Sequence, residues 1–107
     1  VGVYRAAKDS GKLAIGVDSN QNYMHPGTML TSMIKRVDVA VYDAFMTTKN
    51  GTWKGGIKVL GLAEEGVGWA LDKHNRSLVS SAMEAKLEQA RKDIIAGKIK
   101  VTDYMSK

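Results

Sequence analysis

Hydrophobic and polar residues are arranged along this 107-residue chain in short blocks that predict alternating helices and strands. Residues 3–8 are compatible with a helix, and Asp9-Ser10-Gly11 is a plausible stop because glycine is favoured just past a helix end. The apolar run at residues 13–17 predicts a strand covered on both faces, as parallel strands are. Polar residues 18–22 follow at once, at its carboxyl end.

The next block predicts a second strand and a long helix. Residues 28–31 are the expected strand, and Ser32 is the expected N-cap, because a serine hydroxyl can accept from the free amides of a first helical turn. The helix is expected to be mostly buried, since apolar residues recur every three or four positions at Ile34, Val37, Val41, Ala44 and Phe45. Asn50-Gly51 is its expected end.

The carboxyl-terminal half predicts a hairpin, a helix and a final strand. Residues 57–71 form the expected hairpin, with a turn at Glu64-Glu65-Gly66. Ser81 and Glu84 have the spacing of a capping box that starts a helix ending at Gly97, with an outward pair of Glu88 and Lys92. A strand is expected at residues 99–101, and the alternation of helices with strands indicates an α/β fold.

Composition limits the chain to one domain and excludes several function classes. The net charge is +5, yet the basic residues are scattered and the seven aromatic residues offer no stacking platform, so we expect no nucleic-acid partner. The absence of cysteine excludes disulfides and thiolate metal sites. His25 and His74 lack a second ligand at useful spacing, so we expect neither a metal nor a cofactor.

The ends and the apolar runs of the chain also carry expectations. No apolar run approaches the roughly 18 residues that a membrane-spanning helix needs, and no signal peptide opens the sequence. Because the chain starts at Val1 and its first residues already have the pattern of a helix interior, we expect it to be a fragment of a longer protein.

The polar residues after the first predicted strand are the best candidates for ligand contact. Asp18, Ser19 and Asn20 lie at the carboxyl end of a buried strand, where open α/β sheets bind ligands. A carboxylate there can accept two hydrogen bonds from a vicinal diol. The alternative is that Asp18 and Ser19 only satisfy turn amides. Lys35 could donate to the same ligand, or could be an ordinary solvated lysine.

Catalysis has weaker support than binding. Asp72, His74 and the serine pair Ser80-Ser81 could be assembled into a hydrolase triad on paper. No glycine-flanked nucleophile between a strand and a helix supports that assignment, so we expect no catalytic residues.

Residues 14–21 and 30–38, followed by 61–68 and 94–101, resemble the basic membrane protein family of substrate-binding lipoproteins. This family includes purine nucleoside receptors of bacterial ABC importers, and the resemblance covers almost the whole chain. It implies a type I periplasmic-binding fold, in which two α/β lobes close around a ligand. Residues 1–107 would then be a carboxyl-terminal segment contributing to both lobes.

The resemblance also implies a function and a location. It indicates the extracytoplasmic solute-binding component of an ABC importer, anchored by an upstream lipid, with a nucleoside-like ligand and a permease as partners. Asp18 would accept from the ribose hydroxyls and Lys35 would be a second polar ligand, while Asn20 stands where many relatives have Asp.

Three alternatives and one consequence stay open at this point. The alternatives are a ligand-sensing regulator or a surface antigen of the same family, and a small α/β enzyme fragment. The consequence is that the segment by itself should self-associate, because its apolar helix faces would lack their usual partners.

Overall fold

The structure is a computed structural model that describes residues 1–106, so Lys107, the last residue of the predicted segment, lies outside it. It confirms a mixed α/β architecture with helices and a sheet. The helices and strands in chain order are α1 (Gly2–Asp9), β1 (Ala14–Asp18), β2 (Met29–Lys35), α2 (Val37–Lys49), β3 (Val67–Trp69) and α3 (Ser81–Ile95). Short 3₁₀ turns lie at Asn22–Met24 and Tyr104–Ser106.

The sheet brings the carboxyl ends of β1 and β2 to one edge. Its strand order is β1-β2-β3, with β1 and β2 parallel and β2 and β3 antiparallel. Asp18, the last residue of β1, pairs with Ile34, and Lys35 follows as the last residue of β2. The parallel pairing was predicted, but β2 is longer than residues 28–31 indicated.

The prediction that Ser32 caps a helix is wrong. Ser32 lies fully buried in the middle of β2 and pairs with Gly16, while α2 begins at Val37 after Arg36. Serine favours helix caps and turns because its hydroxyl can bond to nearby backbone groups, but here strand pairing overrides that preference. Burial of the hydroxyl is tolerated because it donates to Asn22 and accepts from the amide of Gln21.

The predicted hairpin at residues 57–71 is also wrong in its pairing. Residues 57–60 form no strand within the described chain, and Ile57 is 100% exposed. β3 pairs with β2 instead, with Met33 opposite Trp69 and Lys35 opposite Val67. The physical reason is that the longer β2 presents a free edge, and β3 takes its backbone hydrogen bonds from that edge.

The predicted burial of two elements is not found. The described residues bury none of the α2 side chains, and Phe45 on α2 is 73% exposed. β1, expected to be covered on both faces, leaves Ile15 54% exposed. Apolar periodicity indicates which face of an element packs against other parts of a protein. It does not show that those other parts lie within residues 1–106. The buried apolar side chains are Tyr4, Met29, Ala70 and Val79.

The third helix forms as predicted, but with a different cap. Ser80, not Ser81, is the N-cap, and its Oγ accepts from the Met83 amide at 3.2 Å. Glu84 does not reach back to the cap, because its carboxylate pairs with Arg76 at 2.9 Å.

The end of α3 is confirmed, but two further predictions for the carboxyl-terminal region are wrong. Gly97 follows the helix with a φ of +80°, which glycine adopts without steric penalty. Glu88 pairs with Arg91 rather than with Lys92. Residues 99–101 form no strand in the described part of the chain, where the sheet consists of β1, β2 and β3.

The fold leaves an unusually large surface for its mass. The accessible surface is 8149 Å², whereas a folded chain of this mass has about 5,800 Å². The radius of gyration is 16.7 Å, compared with about 13 Å for a compact domain of similar length. None of the described helices is both long and apolar enough to cross a membrane.

Candidate ligand-binding site

The candidate site is built on the β1 loop, which we define as residues 18–22. Asp18 ends β1 with a φ of +77°, in the left-handed region that few residues other than glycine adopt. Aspartate tolerates this conformation better than most residues because its short side chain is polar. The backbone therefore turns sharply out of the strand at the carboxyl edge shared by β1 and β2.

Ser32 fastens the β1 loop to the sheet. Its Oγ accepts from the Gln21 amide at 3.0 Å and donates to the Asn22 Oδ1 at 2.7 Å. Gly16 makes this approach possible, since a Cβ on Gly16 would lie 2.6 Å from the Ser32 Oγ. Asn22 and Ser32 are both fully buried, so this attachment is shielded from water.

Gln21 ties the same loop to two further elements. Its Oε1 accepts from the hydroxyl of Tyr4 on α1 at 2.5 Å. Its Nε2 donates to the Val17 carbonyl in β1 at 3.0 Å. A side chain of α1, a backbone carbonyl of β1 and a side chain of β2 thus all bond to one loop residue, which restricts the conformations that the loop can adopt.

A carboxylate from the β3–α3 connection reaches the other side of the loop. Asp72 accepts from Asn20 Nδ2 at 2.7 Å and from Asn22 Nδ2 at 3.2 Å, both at Oδ2. Its Oδ1 accepts from the backbone amide of His74 at 2.7 Å. The hydrogen bond from Asn20, followed by those from His74 and Asn22, holds the pKa of Asp72 below its usual range.

Three of the predicted site residues share one property. The side chains of Asp18, Ser19 and Lys35 are exposed, and none of the three makes a hydrogen bond or ion pair with any residue in 1–106. Within that range, the alternative that Asp18 and Ser19 satisfy turn amides therefore does not hold. The turn amide of Asn22 is satisfied by Asn20 Oδ1 instead, at 3.1 Å.

Lys35 lies on β2, and Asn20 lies in the β1 loop. A helix starting after an N-cap at Ser32 would have placed Lys35 in its first turn, but Lys35 is the last residue of β2. It still lies at the same sheet edge as Asp18, one residue beyond the strand partner of Asp18. Asn20 is in the loop as predicted, but its amide oxygen and nitrogen both have partners inside the chain.

Sequence reasoning missed the groups that hold the loop. Asp72 follows an apolar stretch at residues 67–71 just as Asp18 follows residues 13–17, and that parallel was the available signal. The fully buried Asn75 fixes the Asp72 turn, since its Oδ1 accepts from the Asp72 amide at 2.8 Å. The hydrolase triad considered from sequence is not assembled. Asp72 accepts from the backbone amide of His74 and not from its imidazole, and Ser80 is the N-cap of α3.

The surroundings of the loop are open and polar. A surface cavity of about 460 Å³ lies beside it, lined by Asn20, Tyr23, Asp72, Lys73 and His74. No group of three or more His, Asp or Glu side chains within residues 1–106 could hold a metal ion. What the described arrangement offers is an exposed carboxylate, a hydroxyl and an ammonium group, which suit a small polar ligand with hydroxyl groups.

Comparison with known proteins gives a consistent result. Residues 1–104 match the family model described as Bmp, ABC transporter substrate-binding protein PnrA-like. An uncharacterized lipoprotein of Pyrococcus abyssi is 52% identical over 79 residues, which are 67% of this chain and 20% of that protein. A CD4+ T-cell-stimulating antigen of Listeria innocua is 38% identical over 104 residues, which are 96% of this chain and 27% of that protein.

Two further matches extend this picture. Basic membrane protein D of Borreliella burgdorferi is 36% identical over 107 residues, covering 94% of this chain and 30% of that protein. An ABC transporter solute-binding protein of Aeropyrum pernix has a crystal structure that superposes with a TM-score of 0.70 and 28% identity. That superposition covers 96% of this chain and 38% of the solved one.

The chain thus spans between 20% and 30% of the length of these curated relatives. The structural match confirms that the predicted α/β arrangement is part of a solute-binding-protein fold. Members of the matched family are extracytoplasmic, membrane-anchored lipoproteins and solute-binding proteins, not enzymes. The resemblance noted from sequence is confirmed: this chain belongs to the Bmp family of PnrA-like ABC transporter substrate-binding proteins.

Proposed function

We propose that this chain is the carboxyl-terminal segment of a receptor that binds a nucleoside and delivers it to an ABC permease. The observation that carries the proposal is the position of three exposed, unpartnered polar side chains, Asp18, Ser19 and Lys35. Within the described residues they lie at the shared carboxyl edge of two parallel strands. Ligands of open α/β sheets bind at such edges.

The chemistry of these groups favours a sugar-containing ligand. An ionised Asp18 can accept two hydrogen bonds from the vicinal hydroxyls of a ribose, and each hydrogen bond to a charged group is worth about 1.5–3 kcal/mol. Lys35 can donate to a ring nitrogen, a carbonyl or a third hydroxyl. Ser19 and Asn20 add hydroxyl and amide groups in the same loop.

The segment contributes to both lobes of a two-lobed receptor in this proposal. Support comes from its surface, which exceeds that of a compact chain of equal mass by about 2,300 Å². Part of this excess is apolar and lies on separate elements, with Ile15 and Val17 on the sheet and Phe45 on α2. Apolar faces on different elements suit packing against further parts of a longer protein.

Transport would follow from lobe closure. A ligand shifts the equilibrium toward the closed form only if it binds that form more tightly than the open one. Groups on the β1 loop provide such a difference if the facing lobe supplies the remaining contacts to the same ligand.

The test is calorimetric titration of the full-length receptor with adenosine, inosine, guanosine and uridine, and with free ribose and adenine. We expect at least one nucleoside to bind, and the free sugar and base to bind more weakly. A receptor that binds none of the four nucleosides would contradict the proposal. Nucleoside uptake by cells with and without the receptor separates transport from a sensing role, because a sensor would leave uptake unchanged.

A further inference from the structure

We propose that Asp72 is a positioning residue for the ligand site, whose carboxylate holds the β1 loop in the conformation that presents Asp18 and Ser19. The proposal rests on the proposed function to the extent that the β1 loop is where the ligand binds. Asp72 lies 52 residues from Asn20 in sequence, yet the two side chains are joined by a 2.7 Å hydrogen bond.

The geometry requires a carboxylate at position 72. Oδ2 accepts from the amide groups of both Asn20 and Asn22, and Oδ1 accepts from the His74 backbone amide. These are three donors and no acceptors. An asparagine at this position would offer one acceptor oxygen. Its Nδ2 would lie against other N–H donors, which cannot accept a hydrogen bond from it. A carboxylate satisfies all three donors at once.

Asp72 can serve as an anchor because it is itself held by the sheet. Its backbone amide donates to Asn75 Oδ1 at 2.8 Å. The Nδ2 of the fully buried Asn75 donates to the Leu30 and Ala70 carbonyls, each at 2.9 Å. A continuous set of hydrogen bonds therefore runs from β2 through Asn75 and Asp72 to the β1 loop.

The loop needs such an anchor because its starting conformation is unfavourable. Asp18 occupies a left-handed backbone region at a φ of +77°, and conformations of this kind persist only where surrounding contacts impose them. Ser32 and Tyr4 hold the far end of the loop, through Gln21 and Asn22. Asp72 also fixes Asn20, the residue after the exposed Ser19, through a hydrogen bond. A loop that is already ordered loses less entropy when the ligand binds.

Asn20 has a defined place in this arrangement. Its Nδ2 donates to Asp72 and its Oδ1 accepts from the Asn22 amide, so the side chain links the loop to its anchor. An aspartate at position 20 would place two carboxylates against each other. Asn20 and Asp72 therefore form a matched amide and carboxylate. Exchanging the two groups should restore the hydrogen bond between positions 20 and 72, but it would leave Asn22 Nδ2 without an acceptor at position 72.

The experiment compares four variants of the full-length receptor: Asp72→Asn, Asn20→Asp, the double exchange Asn20→Asp with Asp72→Asn, and the control Asp93→Asn. Asp93 is a matched control because its carboxylate also accepts from a side-chain amide, that of Gln89 at 3.0 Å, but on α3. Amide hydrogen exchange of Gln21 and Asn22 is measured without ligand. Adenosine affinity is then measured by calorimetry for each variant.

We expect Asp72→Asn and Asn20→Asp each to speed exchange at Gln21 and Asn22 about tenfold, which corresponds to about 1.4 kcal/mol. Adenosine affinity should fall by a similar factor. The double exchange should recover part of both losses, because an amide at position 72 can donate to a carboxylate at position 20 while Asn22 Nδ2 stays unpaired. Asp93→Asn should stay within about twofold of the parent. Recovery separates positioning from direct ligand contact, because moving the carboxylate to position 20 would not restore a contact made by Asp72 itself.

Three results would overturn the proposal. Exchange rates in Asp72→Asn within about twofold of the parent would show that Asp72 does not order the loop. Faster exchange with unchanged affinity would separate the loop order from ligand binding. Equal losses in the single and double variants would show that amide and carboxylate pairing is not the cause. A parent receptor that binds no nucleoside would refute the proposed function alone, and exchange would still decide whether Asp72 holds the loop.

Discussion

The Ser32 hydroxyl occupies the space that a side chain on Gly16 would need. The two residues are partners in the parallel β1–β2 pairing, and a Cβ on Gly16 would lie 2.6 Å from Ser32 Oγ. Ser32 cannot easily move aside, because it is fully buried and bonded to Gln21 and Asn22. This close approach links the packing of the sheet to the position of the β1 loop.

Gly16→Ala should therefore destabilise the protein by about 1–3 kcal/mol, the usual cost of inserting a methyl group into a filled space. Chemical denaturation of the full-length receptor measures the change. Gly68→Ala is the matched control, because it also lies in a strand and an added Cβ meets no described atom within 4 Å. Equal stability of the two variants would contradict the steric argument.

Asp18→Ala should weaken nucleoside binding by at least roughly 1.5–3 kcal/mol, the range for one hydrogen bond to a charged group. The expectation follows from the exposed carboxylate, which has no partner within residues 1–106. Calorimetry on the full-length receptor measures it. The control is Asp9→Ala, which removes an exposed carboxylate at the end of α1. Unchanged affinity in Asp18→Ala would remove this residue from the site.

Lys35→Met should weaken nucleoside binding by less than Asp18→Ala does, because an exposed lysine loses side-chain entropy when it is fixed on a ligand. Methionine keeps most of the apolar stem and removes only the charge. Titration calorimetry is again the measurement, and circular dichroism verifies folding. If the folded variant binds with the parent affinity, Lys35 is an ordinary solvated lysine.

The stability contributed by Asp72 should depend on pH in a defined direction. Hydrogen bonds from Asn20, His74 and Asn22 lower its pKa in the folded state, so folding favours the ionised form. This contribution is complete above the ordinary carboxyl pKa of about 3.9 and is lost as pH falls through the lower folded-state value.

The measurement is urea denaturation of the parent and of Asp72→Asn at several pH values between about 2 and 7. The difference in the free energy of unfolding should be constant above about pH 5 and should shrink below about pH 4. Asp38→Asn is a useful comparison, because Arg36 lowers the pKa of Asp38 in an exposed pair that water screens. A pH-independent difference for Asp72→Asn would contradict the stabilising role of its ionised form.

The isolated 107-residue chain should self-associate and should not bind nucleoside with the affinity of the full-length receptor. Its excess surface of about 2,300 Å² is in the range that stable assemblies bury. Sedimentation measures the association, and Phe45→Glu, which places a charge on the exposed face of α2, should reduce it. A monomer that binds as tightly as the full-length receptor would contradict the prediction.

Local chemistry determined several features of this protein directly from the amino-acid sequence. The end of α2 at Asn50-Gly51 and the end of α3 at Gly97 depend on backbone conformations that glycine adopts freely. The apolar run at residues 13–17 predicted a strand there, and β1 (Ala14–Asp18) forms at that place with Asp18 as its last residue. The family resemblance, which rests on motifs in order along the chain, was also available from sequence.

Tertiary structure alone decided which segments and side chains meet. Ser32 has the local chemistry of a helix cap, and only pairing with Gly16 places it inside β2. The sequence allowed β3 to pair with residues 57–62, but in the structure β3 pairs with the longer β2 instead. The Asn20 and Asp72 side chains meet across 52 positions of sequence. Such contacts depend on how distant strands are brought together, whereas the period of hydrophobic residues within one element indicates its apolar face and not which element covers that face.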